Sequence, residues 1–237
     1  MLDKGVRADA RAHGATALML AAREKHSDVV KLLLDAGADT NEKAGDDETA
    51  LMWAVSSRRL DIVRSLLARG AEVNAKATDG STALIRAAGM GDRKILEVLL
   101  KRGTSVNEKG PDEQTALIRA VKSDNADAVA VLLASRAQVN AADYSGEAAL
   151  PIALRHRQPV IAKKLLSSGA DGNAKSHDGK TALMLAAAAG YTDVVRALLA
   201  KRVDVNAKSD NGKTALAYAI EHRRDEVVKL LQKNGAE

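Results

Sequence analysis

Hydrophobic and polar positions follow a pattern that repeats every 33 residues along the chain. In the first complete repeat, Leu18 and Ala21 fall on one face of a predicted helix, which Thr16 can cap through its hydroxyl. After a short polar break, residues 29–34 form an apolar stripe at helical spacing, and Gly37 follows as a left-handed helix end. The pattern therefore predicts a helix, a tight turn, a second helix and an extended loop in every repeat.

Four sets of residues keep the same 33-residue period. The motif Thr-Ala-Leu opens helix one in six repeats and weakens to Ala-Ala-Leu at residues 148–150, while an asparagine recurs in the loop. A single helix pair cannot bury its own apolar face, so neighbouring repeats must cover it. We expect a buried leucine column and an alanine column that lets adjacent first helices pack closely. The columns are Leu33, Leu66, Leu99, Leu132, Leu165, Leu198 and Leu231, and Ala21, Ala54, Ala87, Ala120, Ala153, Ala186 and Ala219.

These repeats resemble the ankyrin repeat, which has the same 33-residue length. The family's Thr-Pro-Leu-His motif corresponds to Thr-Ala-Leu-Met at residues 16–19, 49–52 and 181–184, and the loop motif is matched by Gly-Ala-Asp-Thr-Asn at residues 37–41. The proline and histidine are missing, so the hydrogen bonds of that histidine should be absent. The resemblance implies an all-α ankyrin-repeat solenoid with short β-turn fingers, in which stacked helix-turn-helix units form a concave groove that binds a partner.

We expect one ankyrin-repeat domain over residues 1–237. Its repeats should fall at approximately 9–43, 44–76, 77–109, 110–142, 143–175, 176–208 and 209–237.

The fifth repeat departs from the pattern. Ala148 replaces the capping threonine, Pro151 falls in the first turn of helix one, and Pro159 is expected to begin helix two. In two other repeats, Arg136 and Arg202 occupy the position after helix two where glycine is usual, and an arginine there is strained if the backbone stays left-handed. Such departures are typical of a natural sequence rather than a designed scaffold.

The two ends also differ from the pattern. Gln232 replaces a leucine of the earlier repeats, as a polar terminal cap would require, and residues 2–5 resemble the tail of an earlier repeat. We therefore expect a natural C-terminus and a cut N-terminus. On this hypothesis Leu18, Val29 and Leu33 should be more exposed than their equivalents.

Composition narrows the possible functions. Aromatic residues make up only 2% and the net charge is +5, a mild basic bias that, with so few stacking platforms, argues against nucleic-acid binding. The chain has no cysteine, which excludes disulfides and thiolate metal sites but leaves the redox compartment open. No apolar run reaches membrane-spanning length. The composition favours a bacterial cytoplasmic protein and leaves export open, so the compartment stays unknown.

The sequence contains no catalytic constellation. None of the five histidines has a second His or Cys at metal-ligand spacing. A structural role is expected for His26 in its turn, and solvent exposure for His13 and His177 in their loops. The acidic run at residues 46–48 has too few oxygen ligands for calcium, so we interpret it as a solvated loop tip. We expect no enzyme activity, no cofactor and no metal.

Candidate partner contacts lie on helix one. Arg86 and Arg119 occupy a position that is Leu20 and Leu185 in other repeats, and Trp53 occupies it in the second. Helices packed about 10 Å apart would make the two arginines neighbours, and arginine binds carboxylates in a bidentate fashion. The alternative is that the aliphatic stems cover alanine-rich helices while the charged heads reach water. Both interpretations remain open.

The predicted contact surface extends along helices and fingers. Its other members are Met90, Lys122, Arg155, His156, Lys76 and Lys109. The last two belong to a ladder of finger lysines that nearby aspartates could neutralise, and exposed pairs of this kind stabilise little. The lysines should mainly influence association rate and salt dependence.

We therefore interpret the chain as a monomeric protein-interaction module without catalytic activity. It should bind a protein partner, with an acidic partner as one candidate, and neither nucleic acid nor a membrane. The second hypothesis is a regulatory or targeting segment cut from a larger protein, an enzyme being one candidate. The third is nucleic-acid binding, which a salt titration against duplex DNA would distinguish.

Overall fold

A computed structural model describes residues 10–12 and 14–237. Over these residues the chain forms fourteen α-helices, two short strands and one 3-10 turn. The strands are β1 (Arg11–Ala12) and β2 (Ala15–Thr16), which pair antiparallel, and the 3-10 turn is Pro111–Glu113. The first helices of the repeats are α1 (Ala17–Arg23), α3 (Ala50–Ser56), α5 (Ala83–Met90), α7 (Ala116–Lys122), α9 (Ala149–Arg155), α11 (Ala182–Ala189) and α13 (Ala215–Glu221). The second helices are α2 (Ser27–Asp35), α4 (Leu60–Ala68), α6 (Arg93–Lys101), α8 (Ala126–Ala134), α10 (Pro159–Ser167), α12 (Thr192–Ala200) and α14 (Asp225–Lys233).

Threonine hydroxyls start most of the first helices. In α3, for example, the Thr49 hydroxyl accepts a hydrogen bond from the Met52 backbone N–H at 3.4 Å. Such a cap satisfies one of the unpaired N–H groups of the first turn. At α9 the cap residue is Ala148, which offers no side-chain hydrogen bond. The predicted helix starts are confirmed, and the fifth repeat lacks its cap as expected.

The predicted helix ends are also confirmed. Gly37 has a φ of 83°, in the left-handed region that glycine adopts without a Cβ clash. Arg136 and Arg202 keep that conformation with φ values of 63° and 55°, so both backbones are strained. Pro159 is the first residue of α10, where its missing N–H costs no helical hydrogen bond.

Two compact units divide the chain, the first ending at Pro111 and the second beginning at Asp112. In the first unit α1 packs on α3 and α3 on α5, while α2 packs on α4 and α4 on α6. In the second unit α7, α9, α11 and α13 pack in series, as do α8, α10, α12 and α14. The leucine column is buried throughout, with Leu33 5% exposed and the other six fully buried. The alanine column is buried too, at 6% exposure or less.

The loop asparagines connect successive repeats within each unit. The Asn41 side chain accepts a hydrogen bond from the Glu72 N–H at 2.7 Å and donates one to the Gly70 carbonyl at 3.2 Å. Asn140 repeats this arrangement in the second unit, with partners one repeat further along. The asparagine period therefore reflects a bridge between neighbouring fingers.

Predictions for the N-terminal face are partly wrong. Val29 is 44% exposed and Leu33 is 5% exposed, more than their buried equivalents as expected, but Leu18 is only 1% exposed, like Leu51 in the next repeat. The two leucines are buried because α1 packs on both α2 and α3. His13 and residues 2–5, which also entered the sequence predictions, lie outside the described residues.

Candidate functional site

The candidate site starts from the helix-one position that Trp53 and Arg86 share. Residues at this position differ in burial: Ile152 is fully buried, whereas Arg119 is exposed. Trp53 on α3 and Arg86 on α5 are half-buried. These two residues lie in the first compact unit, where they line the same pocket.

The pocket around Trp53 has a volume of about 470 Å³. Its lining side chains are Arg23, Lys25, Glu48, Trp53, Ser56, Ser57 and Arg86. Arg23 pairs with Glu24 at 2.9 Å and Arg86 pairs with Glu48, so Lys25 gives the pocket its net positive charge. We call this set of lining residues the Trp53 pocket.

Glu48 connects the main groups of the Trp53 pocket. One of its carboxylate oxygens accepts a hydrogen bond from the Trp53 indole N–H, and the other accepts one from the Arg86 guanidinium. The side chains of Arg86 and Glu48 are 20% and 18% exposed, so the ion pair is well shielded and holds the indole in place. The interpretation of residues 46–48 as a solvated loop tip is correct for Asp46 and Asp47, which are exposed, but wrong for half-buried Glu48.

Arg23 covers one face of the indole. Its guanidinium carbon lies 5.0 Å from the ring centroid of Trp53, within the range of a cation–π interaction. The sequence predictions missed both Arg23 and Glu48. Helical spacing offered a signal for Arg23, which lies three residues after Leu20 and therefore on the same face of α1. Glu48 stands just before the capping Thr49, and nothing local marks its pairing with Arg86, which lies 38 residues away.

The other predicted contacts of the first unit lie outside the Trp53 pocket. Met90 ends α5 and is half-buried, and its carbonyl accepts a hydrogen bond from Arg58 at 3.0 Å. Lys76 and Lys109 come together at a finger groove of about 490 Å³. The Lys76 ammonium lies 2.5 Å from the Glu108 carboxylate, so its charge is compensated there.

Two predicted cations of the second unit pair with buried carboxylates. The Lys122 ammonium lies 2.9 Å from Asp143, and the Arg155 guanidinium donates to both oxygens of Glu147 at 2.6 and 3.3 Å. Both carboxylate side chains are only 2% exposed. Lys122 and Arg155 therefore anchor loops as well as reaching the surface.

The remaining predicted residues of the second unit, Arg119 and His156, are exposed. Arg119 makes only a long hydrogen bond of 3.5 Å to the Gln114 amide oxygen, and His156 ends α9 as its C-cap. Arg86 and Arg119 belong to different compact units, so their predicted proximity stays a prediction.

Asp143 remains ionised despite its burial. Burial raises the pKa of Asp143, but hydrogen bonds from Ser145, Lys122 and the Glu147 N–H together lower the pKa below its ordinary value. The carboxylate therefore accepts hydrogen bonds as an anion and compensates the Lys122 charge.

The side chains described above are suited to binding a ligand or a partner. In the range 10–12 and 14–237, no group of three or more His, Asp or Glu side chains is placed to hold a metal ion. None of the helices described for this chain combines the length and apolarity needed to cross a bilayer. The groups do offer positive charge, N–H donors and one aromatic ring at a half-buried surface.

Comparisons with known proteins agree with this picture. The sequence matches a family model described as "Ankyrin repeats (3 copies)" over residues 41–110, 103–176 and 152–237, and one described as "Ankyrin repeat" over residues 13–44. None of the curated proteins matches the chain. Among solved structures, the crystal structure of the human ASB11 ankyrin repeat domain is similar, with a TM-score of 0.76 and 23% identity over 92% of this chain and 98% of that chain. At this level of identity the similarity concerns the fold alone.

Proposed function

Because this chain belongs to the ankyrin-repeat family, whose repeats are generally protein–protein interaction modules, we propose that it binds a partner protein through its helix-one and finger surface. It acts by binding, as a monomer, and not by catalysis, which agrees with a fold that is typical of non-enzymatic interaction domains.

The Trp53 pocket is the observation that supports this proposal most. A tryptophan held by a carboxylate on its N–H and an arginine on its ring is already ordered before binding, so little side-chain entropy is lost when a partner arrives. Trp and Arg are also the residue types enriched at interface hot spots. The net positive charge of the pocket favours an acidic partner.

The proposed contact residues have different roles. Trp53 and Arg86 form the anchor, because Glu48 uses only part of the five N–H donors of the Arg86 guanidinium. Exposed Arg119 and His156 offer free polar groups, and Met90 adds apolar contact. Lys122 and Arg155 contribute from paired positions, and the finger residues Lys76 and Lys109 contribute at the finger groove.

The proposal is tested by capture from a cell lysate with three versions of the immobilised chain. Trp53→Leu combined with Arg86→Leu removes the anchor while using the residue found at the same position in other repeats, as at Leu20 and Leu185. Arg64→Leu is the control, because Arg64 is exposed on α4 and outside the pocket. A partner is retained by the wild type and the control and lost from the anchor variant.

The retained protein is then titrated against the chain. Trp53 is the only tryptophan, so its fluorescence reports directly on the pocket. Arg86→Ala with Arg119→Ala should weaken binding by about 2 kcal/mol or more, roughly 30-fold in Kd, with unchanged helical circular dichroism. Affinity that survives this double substitution would place the binding centre elsewhere, most plainly on the fingers.

A further inference from the structure

A second pocket is lined by residues of the second compact unit. We infer that Arg157, Arg224 and His222 form a carboxylate-binding site for an acidic segment of a partner protein. This inference rests on the proposed function, since it names the chemistry of the partner. The pocket has a volume of about 300 Å³, and its lining residues include no Asp or Glu.

The Arg157 guanidinium lines the pocket without a structural bond of its own. Arg157 occupies the turn between α9 and α10 with a φ of 60°, where glycine would be free of strain. Gly91 and Gly190 stand at the same position in other repeats, and Arg58 there donates to the Met90 carbonyl at 3.0 Å. Within the described part of the chain the Arg157 guanidinium makes no such hydrogen bond or ion pair. Lys25, Asp124 and Arg223 adopt the same left-handed conformation at this position, so the turn is common to the repeats, and it is the unpaired guanidinium that leaves Arg157 available to a ligand.

Arg224 reaches the same pocket because Gly190 has no side chain in its way. A Cβ added at Gly190 would lie 2.8 Å from the Arg224 Cδ, so the glycine leaves the space that the arginine stem occupies. The Arg224 Nε donates to the Ala188 carbonyl at 3.1 Å, which fixes the direction of the guanidinium. Its remaining N–H donors are available to a ligand.

The rest of the lining supports a peptide rather than a free ion. The His222 Nδ1 contacts the Tyr218 carbonyl at 3.0 Å, leaving the other ring nitrogen for a ligand. Leu154, Leu185 and Ala188 line the pocket as an apolar surface, which suits an aliphatic side chain beside the carboxylates. The charge of neighbouring Arg155 is compensated by Glu147, so Arg157 and Arg224 carry the uncompensated positive charge.

An acidic segment fits these features better than nucleic acid does. Two guanidinium groups offer planar pairs of donors that match carboxylates. Single-stranded nucleic acid would need aromatic platforms for its bases, and Tyr191 is the single aromatic residue among the side chains that line this pocket. We therefore expect alternating acidic and aliphatic residues in the bound segment.

The experiment follows the Arg Nε–H and His side-chain resonances of the full chain by NMR. The probe is a blocked hexapeptide, Leu-Glu-Leu-Glu-Leu-Glu, and its glutamine counterpart is the control peptide. Saturable shifts should centre on Arg157, Arg224 and His222 with the glutamate peptide alone. Because this test needs no natural partner and reads only the second unit, its failure is distinguishable from loss of capture through the Trp53 pocket.

Two matched double variants separate a site from diffuse attraction. Arg157→Gly with Arg224→Gln should weaken peptide binding by about tenfold or more. Arg136→Gly with Arg202→Gly removes the same charge from exposed left-handed positions of the same unit, and it should change binding by less than about twofold. Equal weakening by both variants, absent shifts at the three residues, or equal binding of the glutamine peptide would overturn the inference. Stronger binding of a thymidine oligonucleotide at these resonances would also overturn it and indicate a nucleic-acid site.

Discussion

Substituting Asp143 by alanine should destabilise the second compact unit far more than the same change at Asp178. The Asp143 side chain is 2% exposed. Its carboxylate accepts hydrogen bonds from the Ser145 N–H at 3.1 Å, the Ser145 hydroxyl at 2.6 Å, the Glu147 N–H at 3.2 Å and the Lys122 ammonium at 2.9 Å. Alanine would leave all four donors without this acceptor.

These contacts determine how much stability the Asp143→Ala variant should lose. Each hydrogen bond contributes about 0.5–1.5 kcal/mol net, and a buried donor left unpaired costs about 1–3 kcal/mol. The Lys122 side chain is 28% exposed, so water can replace part of its lost partner and the full cost of breaking a buried pair does not apply. We expect Asp143→Ala to cost about 2–4 kcal/mol. The Asp178 side chain is 39% exposed, and Asp178→Ala should cost about 1 kcal/mol or less.

Urea unfolding followed by far-UV circular dichroism measures both variants. Repeat arrays can unfold in parts, so hydrogen exchange at the Ser145 and Glu147 amides should accompany it and should accelerate in Asp143→Ala. A cost under about 1 kcal/mol, or equal costs at Asp143 and Asp178, would refute the reasoning.

A double variant that exchanges Asp143 and Ser145 provides the control. In the next repeat the Ser176 hydroxyl donates to the Asp178 carboxylate at 2.5 Å, which is the Asp143–Ser145 pair with its two residues exchanged. Asp143→Ser combined with Ser145→Asp should therefore restore the bond within the loop. It does not restore the Lys122 ion pair, so its stability should lie between those of the wild type and Asp143→Ala.

Four further predictions follow from burial, capping and charge. Leu132→Ala should cost about 2–5 kcal/mol in chemical denaturation, because this leucine is fully buried; a loss well under about 1 kcal/mol would contradict its place in the column. Amides of α9, whose helix lacks a side-chain cap, should exchange faster than those of α11, and equal protection would argue against a weaker fifth repeat. Glu48→Gln should change the Trp53 fluorescence spectrum, because the charged acceptor of its N–H is lost; an unchanged spectrum would contradict that bond. Hydrogen bonds from Lys180 and Ser176 lower the pKa of Asp178 to about 2, so the stability that its carboxylate contributes should be present above about pH 4 and lost as pH falls towards 2. This contribution amounts to about 1 kcal/mol or less after solvent screening. The urea midpoints of the wild type and Asp178→Asn should therefore converge at the lowest pH.

Sequence reasoning succeeded where the cause is local or periodic. The Thr49 cap, the Gly37 helix end and the Pro159 helix start each depend on a few neighbouring residues, which is why their positions could be read directly. The leucine column was predictable because its burial follows from a repeated helix pair that needs neighbours to cover it.

The candidate sites were only partly predictable. Trp53 and Arg86 stood out because they break a hydrophobic column, but the role of Glu48 did not, since its ion-pair partner Arg86 lies 38 residues away and one repeat further along. Arg157 and Arg224 carried no sequence signal as a pair, because 67 positions separate them along the chain. They share a pocket only because the first helices of successive repeats pack side by side.

By itself, then, the sequence determined the repeat, the helices and the buried columns, because short-range propensity and hydrophobic period act within one repeat. Which charges are compensated and which remain available depends on contacts that form in the folded chain. Lys122 and Arg155 resemble free cations in the sequence, yet each meets a carboxylate that is 2% exposed. Pairing of this kind depends on distances of a few ångströms between loops and helices, and the order of residues along the chain does not specify such distances.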